Sequence, residues 1–211
     1  MTKDHSHLAT QMWRHRHDYV PAAGHDLLLP GYDLLTRLLG MPPAYDELIK
    51  AAELHDGAQV LEIGCGTANL TVRAKRAHPG VELTGLDPDP RALRRARRKA
   101  GGLAGIRFEQ GYAQGLPYAD GSFDRVLSSM MLHHLDARVQ AAAIAEGFRV
   151  LRPGGSIHIV DVVGPHLSVV RDPDVIPDLL RSSGFEYTEG GSRRLRVVGP
   201  VAFYRGIRPT P

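Results

Sequence analysis

A short apolar strand runs directly into a glycine turn at Val60-Leu61-Glu62-Ile63-Gly64-Cys65-Gly66-Thr67. Small residues let the backbone turn sharply and approach a ligand. A helix is predicted to follow over residues 70–78, and the first N–H groups of a helix are available to an anionic or polar ligand. This stretch therefore predicts a strand, a tight turn and a helix that together make a ligand-binding loop.

The alternation of strands and helices continues along the chain. Further strands are predicted at 81–86, 106–109, 123–129 and 156–163, and further helices at 91–100, 136–151 and 173–183, the last with Asp172 as its N-cap. Such alternation is typical of right-handed crossovers and of a parallel sheet covered on both faces. Two final strands, 185–188 and 201–204, follow each other without a helix and are expected to run antiparallel. We expect an α/β fold with a mostly parallel sheet.

Composition limits the classes of function. The 211 residues are 43% hydrophobic and 23% charged, and the sequence has no apolar run near the roughly 18 residues that a membrane span requires. The first residues lack the apolar segment of a secretory signal, and a single cysteine excludes an internal disulfide and a thiolate cluster, so a cytoplasmic location is expected. His5 and His7, and likewise His15 and His17, point about 200° apart on a helix, so no metal is expected.

Positive charge is concentrated in one predicted helix. Six of the 26 lysines and arginines lie in residues 91–99, which leaves 20 positive against 23 negative charges elsewhere. A solvated outer face explains this helix, because no aromatic residues are interleaved to stack bases and no second basic cluster continues a track. A nucleic-acid partner is therefore not indicated.

The Gly-x-Gly turn suggests a nucleotide cofactor but does not by itself identify one. A dinucleotide-binding pattern requires a third glycine at position 69, where this chain has Asn69. Two acidic residues are more informative. Glu62 lies two residues before the first glycine, and Asp87 ends the second strand, where a carboxylate accepts hydrogen bonds from both hydroxyls of a ribose.

Five ordered motifs resemble those of class I S-adenosylmethionine-dependent methyltransferases, and most closely the small-molecule branch that includes the ubiquinone/menaquinone-biosynthesis enzymes. The motifs are residues 60–67, Gly85-Leu86-Asp87-Pro88, residues 116–124, Leu132-His133-His134-Leu135 and Leu151-Arg152-Pro153-Gly154-Gly155. Together they cover about residues 58 to 165. The resemblance implies a Rossmann-like sheet of seven strands, mostly parallel with the last strand antiparallel, and helices on both faces. It also implies a helical N-terminal lid.

The resemblance assigns cofactor-binding roles to individual residues. Glu62 is expected at the methionine amino group, Gly64 and Gly66 under the methionine and ribose, Asp87 at the ribose and Pro88 near the adenine. After the third strand the family usually has Gly-Asp-Ala, whereas this chain has Gly111-Tyr112-Ala113. Tyr112 is expected to stack on the adenine or hydrogen-bond to it, with Ala113 N–H as a further contact. The residues expected to face the sulfonium and its methyl group are Ser129 and Met130.

Several residues keep two interpretations. Cys65 lies in the cofactor turn, where it is either a nucleophile or, as we expect, a small filler. His133 and His134 either remove a proton from the acceptor or pack the loop, and His25 is a third candidate base. Tyr19, His25 and Tyr32 belong to the predicted lid or substrate-recognition segment at 1–55, which precedes the methyltransferase domain at 56–211, and they either contact ligand or pack the lid. Helices are expected at 6–18 and 31–39 within this segment.

The sequence thus predicts a methyltransferase that transfers a methyl group from S-adenosylmethionine to O, N or C of a small molecule by in-line displacement, with S-adenosylhomocysteine as product. An RNA or protein methyltransferase is one alternative, but Ser128-Ser129-Met130-Met131 does not match the acceptor motif of amino-group methylating relatives. A non-catalytic protein that binds S-adenosylmethionine is the other. We expect a monomer or homodimer without a metal.

Overall fold

The computed structural model describes residues 40–166 and 169–211, and of residues 165, 166 and 169–171 it describes the backbone only. The expected helices at 6–18 and 31–39, and the candidate residues Tyr19, His25 and Tyr32, lie outside the described residues. Seven strands form the main sheet: β1 Gln59–Ile63, β2 Glu82–Asp87, β3 Ile106–Gln110, β4 Phe123–Ser129, β5 Leu151–Val162, β8 Glu186–Leu195 and β9 Gly199–Ile207. Two short strands, β6 Gly164–His166 and β7 Val169–Arg171, pair separately.

The sheet has the order β3-β2-β1-β4-β5-β9-β8. The first five of these strands are all parallel, and the winding direction reverses between β1 and β4, which are direct neighbours. β9 is antiparallel to both β5 and β8. The expected α/β sheet of seven strands with an antiparallel last strand is therefore confirmed. A reversal of this kind places the ligand site beyond the carboxyl ends of β1 and β4.

The described residues contain five α-helices and one short 3₁₀ turn. They are α1 Pro42–Ala51, α2 Asn69–Ala77, α3 Pro90–Lys99, the 3₁₀ turn Leu132–His134, α4 Ala137–Val150 and α5 Val175–Ser182. The Asp89 side chain caps α3 by accepting from Arg91 N, and Asp136 caps α4 by accepting from Val139 N at 2.9 Å. Side-chain caps of this type satisfy N–H groups that have no partner inside the helix.

Alternate residues of the central strands face opposite sides of the sheet. Val60, Leu127 and Val160 belong to one buried cluster, which also contains α1 residues Leu48 and Ile49. Their chain neighbours Leu61, Val126 and Ile159 belong to a second cluster, together with residues of α4 and α5. Because side chains alternate across a strand, this division shows that apolar residues cover both faces of the sheet.

The observed elements differ from the predicted ones mainly at their ends. β4 has the predicted bounds, and most other elements of the first half are displaced by one residue. α5 begins at Val175 instead of residue 173, and Asp172 is not its N-cap, because that position belongs to Asp174. The pair β6 and β7 was not predicted, and β8 and β9 are longer than the apolar runs that predicted them. Within the described residues, no helix is both long and apolar enough to cross a bilayer.

Candidate functional site

The glycine turn is bound to the end of the neighbouring strand. Gly64 N and Cys65 N both donate to the Leu86 carbonyl, at 2.8 and 3.0 Å, so the turn bends over β2 as soon as β1 ends. Gly64 and Gly66 have φ of 74° and 52°, and Ala68, directly before α2, has φ of 64°. Left-handed backbone is easily adopted by glycine and costs a residue with a Cβ. The turn therefore needs glycine at both positions and carries some strain at Ala68.

Asp87 lies beside this turn at the end of β2. Its Oδ2 accepts from Gly66 N at 2.8 Å and its Oδ1 accepts from Asp89 N at 2.9 Å. The residue is 8% exposed, and burial raises the pKa of its carboxyl. Two backbone amides thus fix the orientation of the carboxylate, and each oxygen retains a second lone pair for a ligand hydroxyl.

Glu62 is buried within β1, two residues before the turn. It is 2% exposed, and Thr71 Oγ1 on α2 donates to its Oε2. Burial, together with the charge of the nearby Asp87 carboxylate, raises the pKa of Glu62 to about 8. An isolated carboxylate is unfavourable at a buried position, and a cation bound next to it would stabilise its charged form.

Lys99 was not identified as a site residue from the sequence. It is the last residue of the basic helix α3, yet its Nζ donates to Thr67 Oγ1 at 3.1 Å and to Asn69 Oδ1 at 2.6 Å. These bonds connect α3 to the glycine turn and to the first residue of α2. The expectation of a solvated face holds for exposed Arg91, Arg94 and Arg98, but Lys99 points to the site.

Cys65 is enclosed within the turn. Burial raises the pKa of its thiol well above the ordinary value, and a Cβ added to Gly85 would lie 2.9 Å from its Sγ. A thiol that stays protonated is a poor nucleophile. The geometry agrees with a space-filling role beside Gly85.

The loop after β3 also lies at the carboxyl ends of the parallel strands. Gly111 N donates to the Asp87 carbonyl at 3.3 Å, and Gly115 N donates to the Tyr112 carbonyl at 3.3 Å. Tyr112 is 46% exposed, whereas Ala113 is buried. The Tyr112 ring is therefore accessible to a ligand, and its contact with adenine remains a prediction.

Residues just past β4 cover the turn from the other side. Met130 adopts left-handed backbone with φ of 54°, and its N–H donates to the Val160 carbonyl at 2.9 Å. The Met131 side chain packs on Gly64 so closely that a Cβ there would lie 2.3 Å from Met131 Cγ. The hydroxyls of Ser128 and Ser129 are buried and have no hydrogen-bond partner among the described residues. Buried polar atoms without partners are typical of a site that a ligand completes.

His133 is held by an acidic residue that the sequence analysis missed. Its Nδ1 lies 2.5 Å from Asp161 Oδ1, and its backbone N–H donates to Asp161 Oδ2 at 3.1 Å. Asp161 lies near the end of β5, is 1% exposed, and also accepts from Val162 N at 2.8 Å. The ring of His134 lies 3.9 Å from that of His133, centroid to centroid. The available signal was an acidic residue inside the apolar run 159–163.

A cavity of about 290 Å³ lies beside His133. Residues from the 3₁₀ turn, α4, β5, α5 and β9 surround it, among them Leu132, His133, Gln140, Asp161, Ile176 and Tyr204. The cavity and the glycine turn are thus joined by the segment 129–134. No group of three or more potential metal ligands occurs among the described residues.

The described residues fit the expected cofactor. A Cβ added to Gly66 would meet no heavy atom of the described residues within 4 Å, so open space adjoins the turn beside Asp87. Three kinds of polar group belong to the strands that end at this turn. They are the buried Glu62 carboxyl, the oriented Asp87 carboxylate and the buried hydroxyls of Ser128 and Ser129, which have no partner among the described residues. These groups suit a ligand with an ammonium group, a ribose and a polar centre between them.

Comparisons with known proteins agree with this geometry. Residues 60–155 match a family described as "Methyltransferase domain". The chain is 37% identical over 142 residues to a demethylmenaquinone methyltransferase of Deinococcus radiodurans, covering 65% of this chain and 58% of that protein. It is 34% identical over 143 residues to the enzyme of the same name from Thermus thermophilus, covering 65% and 64%. The chain therefore spans about 60% of the length of these relatives.

Solved structures share the fold at low sequence identity. A phosphoethanolamine N-methyltransferase of Haemonchus contortus, in complex with S-adenosylhomocysteine, superposes with a TM-score of 0.69 at 15% identity, covering 80% of this chain and 53% of that one. A putative methyltransferase of Bacillus halodurans gives a TM-score of 0.65 at 18% identity, covering 79% and 99%. These similarities show the fold alone.

Proposed function

We propose that this chain, whose residues 60–155 match a family described as "Methyltransferase domain", transfers a methyl group from S-adenosylmethionine to a small-molecule acceptor. The observation that carries the proposal is the Asp87 carboxylate, oriented by Gly66 N and Asp89 N next to the open space at the glycine turn. The relatives named demethylmenaquinone methyltransferases support a small-molecule acceptor.

The cofactor is bound along the carboxyl ends of β1, β2 and β4. Glu62 pairs with the amino group of the methionine part, the backbone of Gly64 and Gly66 supports the methionine and ribose, and Asp87 accepts from the ribose hydroxyls. The adenine contacts are Pro88, the accessible Tyr112 ring and Ala113 N–H. Tyr32 of the N-terminal segment is a further candidate for cofactor binding.

Ser129 and Met130 face the reacting centre. S-adenosylmethionine, when bound, supplies a methyl group activated by a sulfonium, so the protein has to align the reactants, exclude water and accept a proton where the acceptor carries one. The partnerless hydroxyls of Ser128 and Ser129 are available to the cofactor or the acceptor.

His133 is the candidate base. Its Nδ1 faces Asp161, and a carboxylate there favours the tautomer that carries its proton on Nδ1. In that tautomer Nε2 is the basic nitrogen of the ring. Asp161 acts through His133 and is a positioning residue. His134, whose ring is tilted by 43° against that of His133, is the weaker candidate.

The test is titration calorimetry with S-adenosylhomocysteine and, in parallel, with NAD. We expect binding of S-adenosylhomocysteine alone, and Asp87→Ala should weaken it at least tenfold, because two charge-assisted hydrogen bonds of about 1.5–3 kcal/mol each are removed. Glu189→Ala is the control and should bind normally, because Glu189 is exposed on β8, the edge strand farthest from β2 and β3. Unchanged affinity in Asp87→Ala would refute the ribose assignment, and absence of binding would refute the proposed function.

A further inference from the structure

The cavity beside His133 has an apolar body and a polar end. Its apolar walls come from Leu132, Leu135, Val162, Val175 and Ile176. A volume of about 290 Å³ lies at the lower limit of small-molecule pockets in proteins. The cavity therefore suits a small ligand with an apolar part about the size of one ring.

Tyr204 gives this cavity a polar side chain. The residue lies on β9, lines the cavity and is 5% exposed. Burial, and next the charge of Asp161, raise the pKa of the phenol, so the hydroxyl keeps its proton. A phenol hydroxyl can donate one hydrogen bond and accept another, so Tyr204 can bind a polar group of a ligand in the cavity.

The charged lining of the cavity is acidic. Asp136, Asp161 and Asp172 line it, and none of the described residues that line it is a lysine or an arginine. Asp161 is engaged with His133, whereas Asp136 and Asp172 each use Oδ1 to accept a backbone N–H. This lining attracts a cation, accepts a neutral molecule and repels an anion.

We propose that the cavity binds the methyl acceptor and that this acceptor is a small amine with an apolar body. The proposal rests on the proposed methyl transfer and adds the chemical class of the substrate. The Asp136 and Asp172 carboxylates attract the ammonium form from solution, the apolar walls hold its body, and the Tyr204 hydroxyl hydrogen-bonds to the nitrogen or to a polar group next to it.

Transfer requires the neutral amine, so His133 first accepts a proton from the bound ammonium group. The nitrogen lone pair then forms the new N–C bond while the bond between methyl and sulfur breaks, and the sulfur keeps that electron pair. The methylated nitrogen keeps its remaining protons and leaves as an ammonium ion. Among the cavity-lining residues His133 is suited to accept the proton, because Asp161 already fixes the orientation of its ring.

Three probes with the same body and different head groups test the class of ligand. They are 2-phenylethylamine, 2-phenylethanol and phenylacetate, titrated into the full chain saturated with S-adenosylhomocysteine and followed by amide chemical shifts in NMR spectra. We expect the amine to bind at least tenfold more tightly than the alcohol and phenylacetate not to bind. Equal or tighter binding of the alcohol, any saturable binding of phenylacetate, or no binding of the amine would overturn the proposal.

Three variants test the site. Asp172→Asn keeps the bond to Asp174 N and should reduce the preference for amine over alcohol at least threefold, whereas Asp174→Asn, the neighbouring acidic residue outside the lining, should leave it unchanged. Tyr204→Phe should weaken amine and alcohol alike. If Asp172→Asn and Asp174→Asn behave identically, the ligand binds elsewhere. Binding of S-adenosylhomocysteine, measured on the same samples, tells failure of the proposed function apart from failure of the amine assignment.

Discussion

Replacing Glu62 by glutamine shows how much this buried carboxyl lowers the free energy of unfolding, separately from what it contributes to cofactor binding. The pKa of Glu62 is about 8 in the folded protein, against an ordinary value of 4.5. Between these pH values the unfolded chain has released the proton and the folded chain still holds it. The free energy of unfolding therefore falls as pH rises from 4.5 to 8, and the loss is complete above pH 8.

The magnitude follows from the difference of 8 − 4.5 = 3.5 in pKa. At about 1.4 kcal/mol per pH unit, Glu62 costs the fold about 5 kcal/mol at pH 8 and about 3 kcal/mol at pH 7. Glutamine does not titrate, and its carbonyl oxygen can still accept from Thr71 Oγ1. The amide N–H₂ group of the glutamine would be buried without a hydrogen-bond acceptor, which lowers the free energy of unfolding by about 1–3 kcal/mol. Glu62→Gln should therefore be more stable than the parent by about 2–4 kcal/mol at pH 8 and less stable at pH 5.

Urea unfolding of both proteins at pH 5, 6, 7 and 8 measures this difference, and comparing two proteins at each pH cancels the titration of groups that they share. Thr71→Val is the matched variant, because it removes the hydrogen bond to Glu62 and keeps the carboxyl, so its own pH dependence should persist. A difference between Glu62→Gln and the parent that does not change with pH would refute the reasoning, because the carboxylate would then be ionised in the fold, with Lys99 as its stabilising charge.

The same carboxyl makes cofactor binding pH-dependent. In the proposed complex the ammonium group of S-adenosylhomocysteine pairs with ionised Glu62. Binding below pH 8 then has to release a proton, and affinity should rise up to tenfold per pH unit from pH 6 to 8. Glu62→Gln should bind at least tenfold more weakly at pH 8 and lose this pH dependence. Calorimetry in buffers of different ionisation enthalpy detects the released proton directly, and its absence in the parent would contradict the pairing.

Three further substitutions have defined outcomes. Gly64→Ala should weaken S-adenosylhomocysteine binding and lower the free energy of unfolding by about 1–3 kcal/mol. The new Cβ would lie 2.3 Å from Met131 Cγ, and the φ of 74° is unfavourable for alanine. Calorimetry measures the first effect and urea unfolding the second. Tyr112→Phe should cost about 0.5–1.5 kcal/mol of S-adenosylhomocysteine binding if the hydroxyl reads adenine, whereas only Tyr112→Ala should be costly if stacking holds it; no change in either would place adenine elsewhere. Burial lowers the pKa of His158 to about 3 from 6.5, so the parent should lose stability as pH falls below 6.5, and His158→Gln should lose less; parallel unfolding curves would contradict this.

The sequence was sufficient for the features that depend on neighbouring residues. Apolar runs with glycine or proline at their ends predicted the five parallel strands and three of the helices between them to within a residue or two at most ends, except that β5 begins five residues before its prediction. Asp136 and Asp89 show how a local cap sets a helix start. Asp172 was mistaken for the N-cap of α5 because it lies two residues before the true N-cap, Asp174. Its side chain accepts a hydrogen bond from Asp174 N, as a capping aspartate accepts one from the first turn of a helix.

The rest depends on pairings between distant parts of the chain. Asp161 is 28 residues from His133, and Lys99 is 32 residues from Thr67, so no local pattern indicates either contact. The alternation of apolar residues also ends early in β8, whose exposed side chains face solvent along the sheet edge. That strand is held by hydrogen bonds to β9, which hydrophobic periodicity does not report.

The spacing between donor and acceptor in the proposed reaction is set by β5. The segment 129–134 carries Met131, which packs on the glycine turn, and His133, which faces the cavity. It is fixed to β5 at two points, by Met130 N on the Val160 carbonyl and by His133 on Asp161. A strand buried in the centre of the sheet thus positions both halves of the site. In the proposed complex S-adenosylhomocysteine lies at the other end of this segment. Because in-line transfer depends on close alignment of the reactants, a substitution at Asp161 should disturb methyl transfer more than it disturbs binding of S-adenosylhomocysteine.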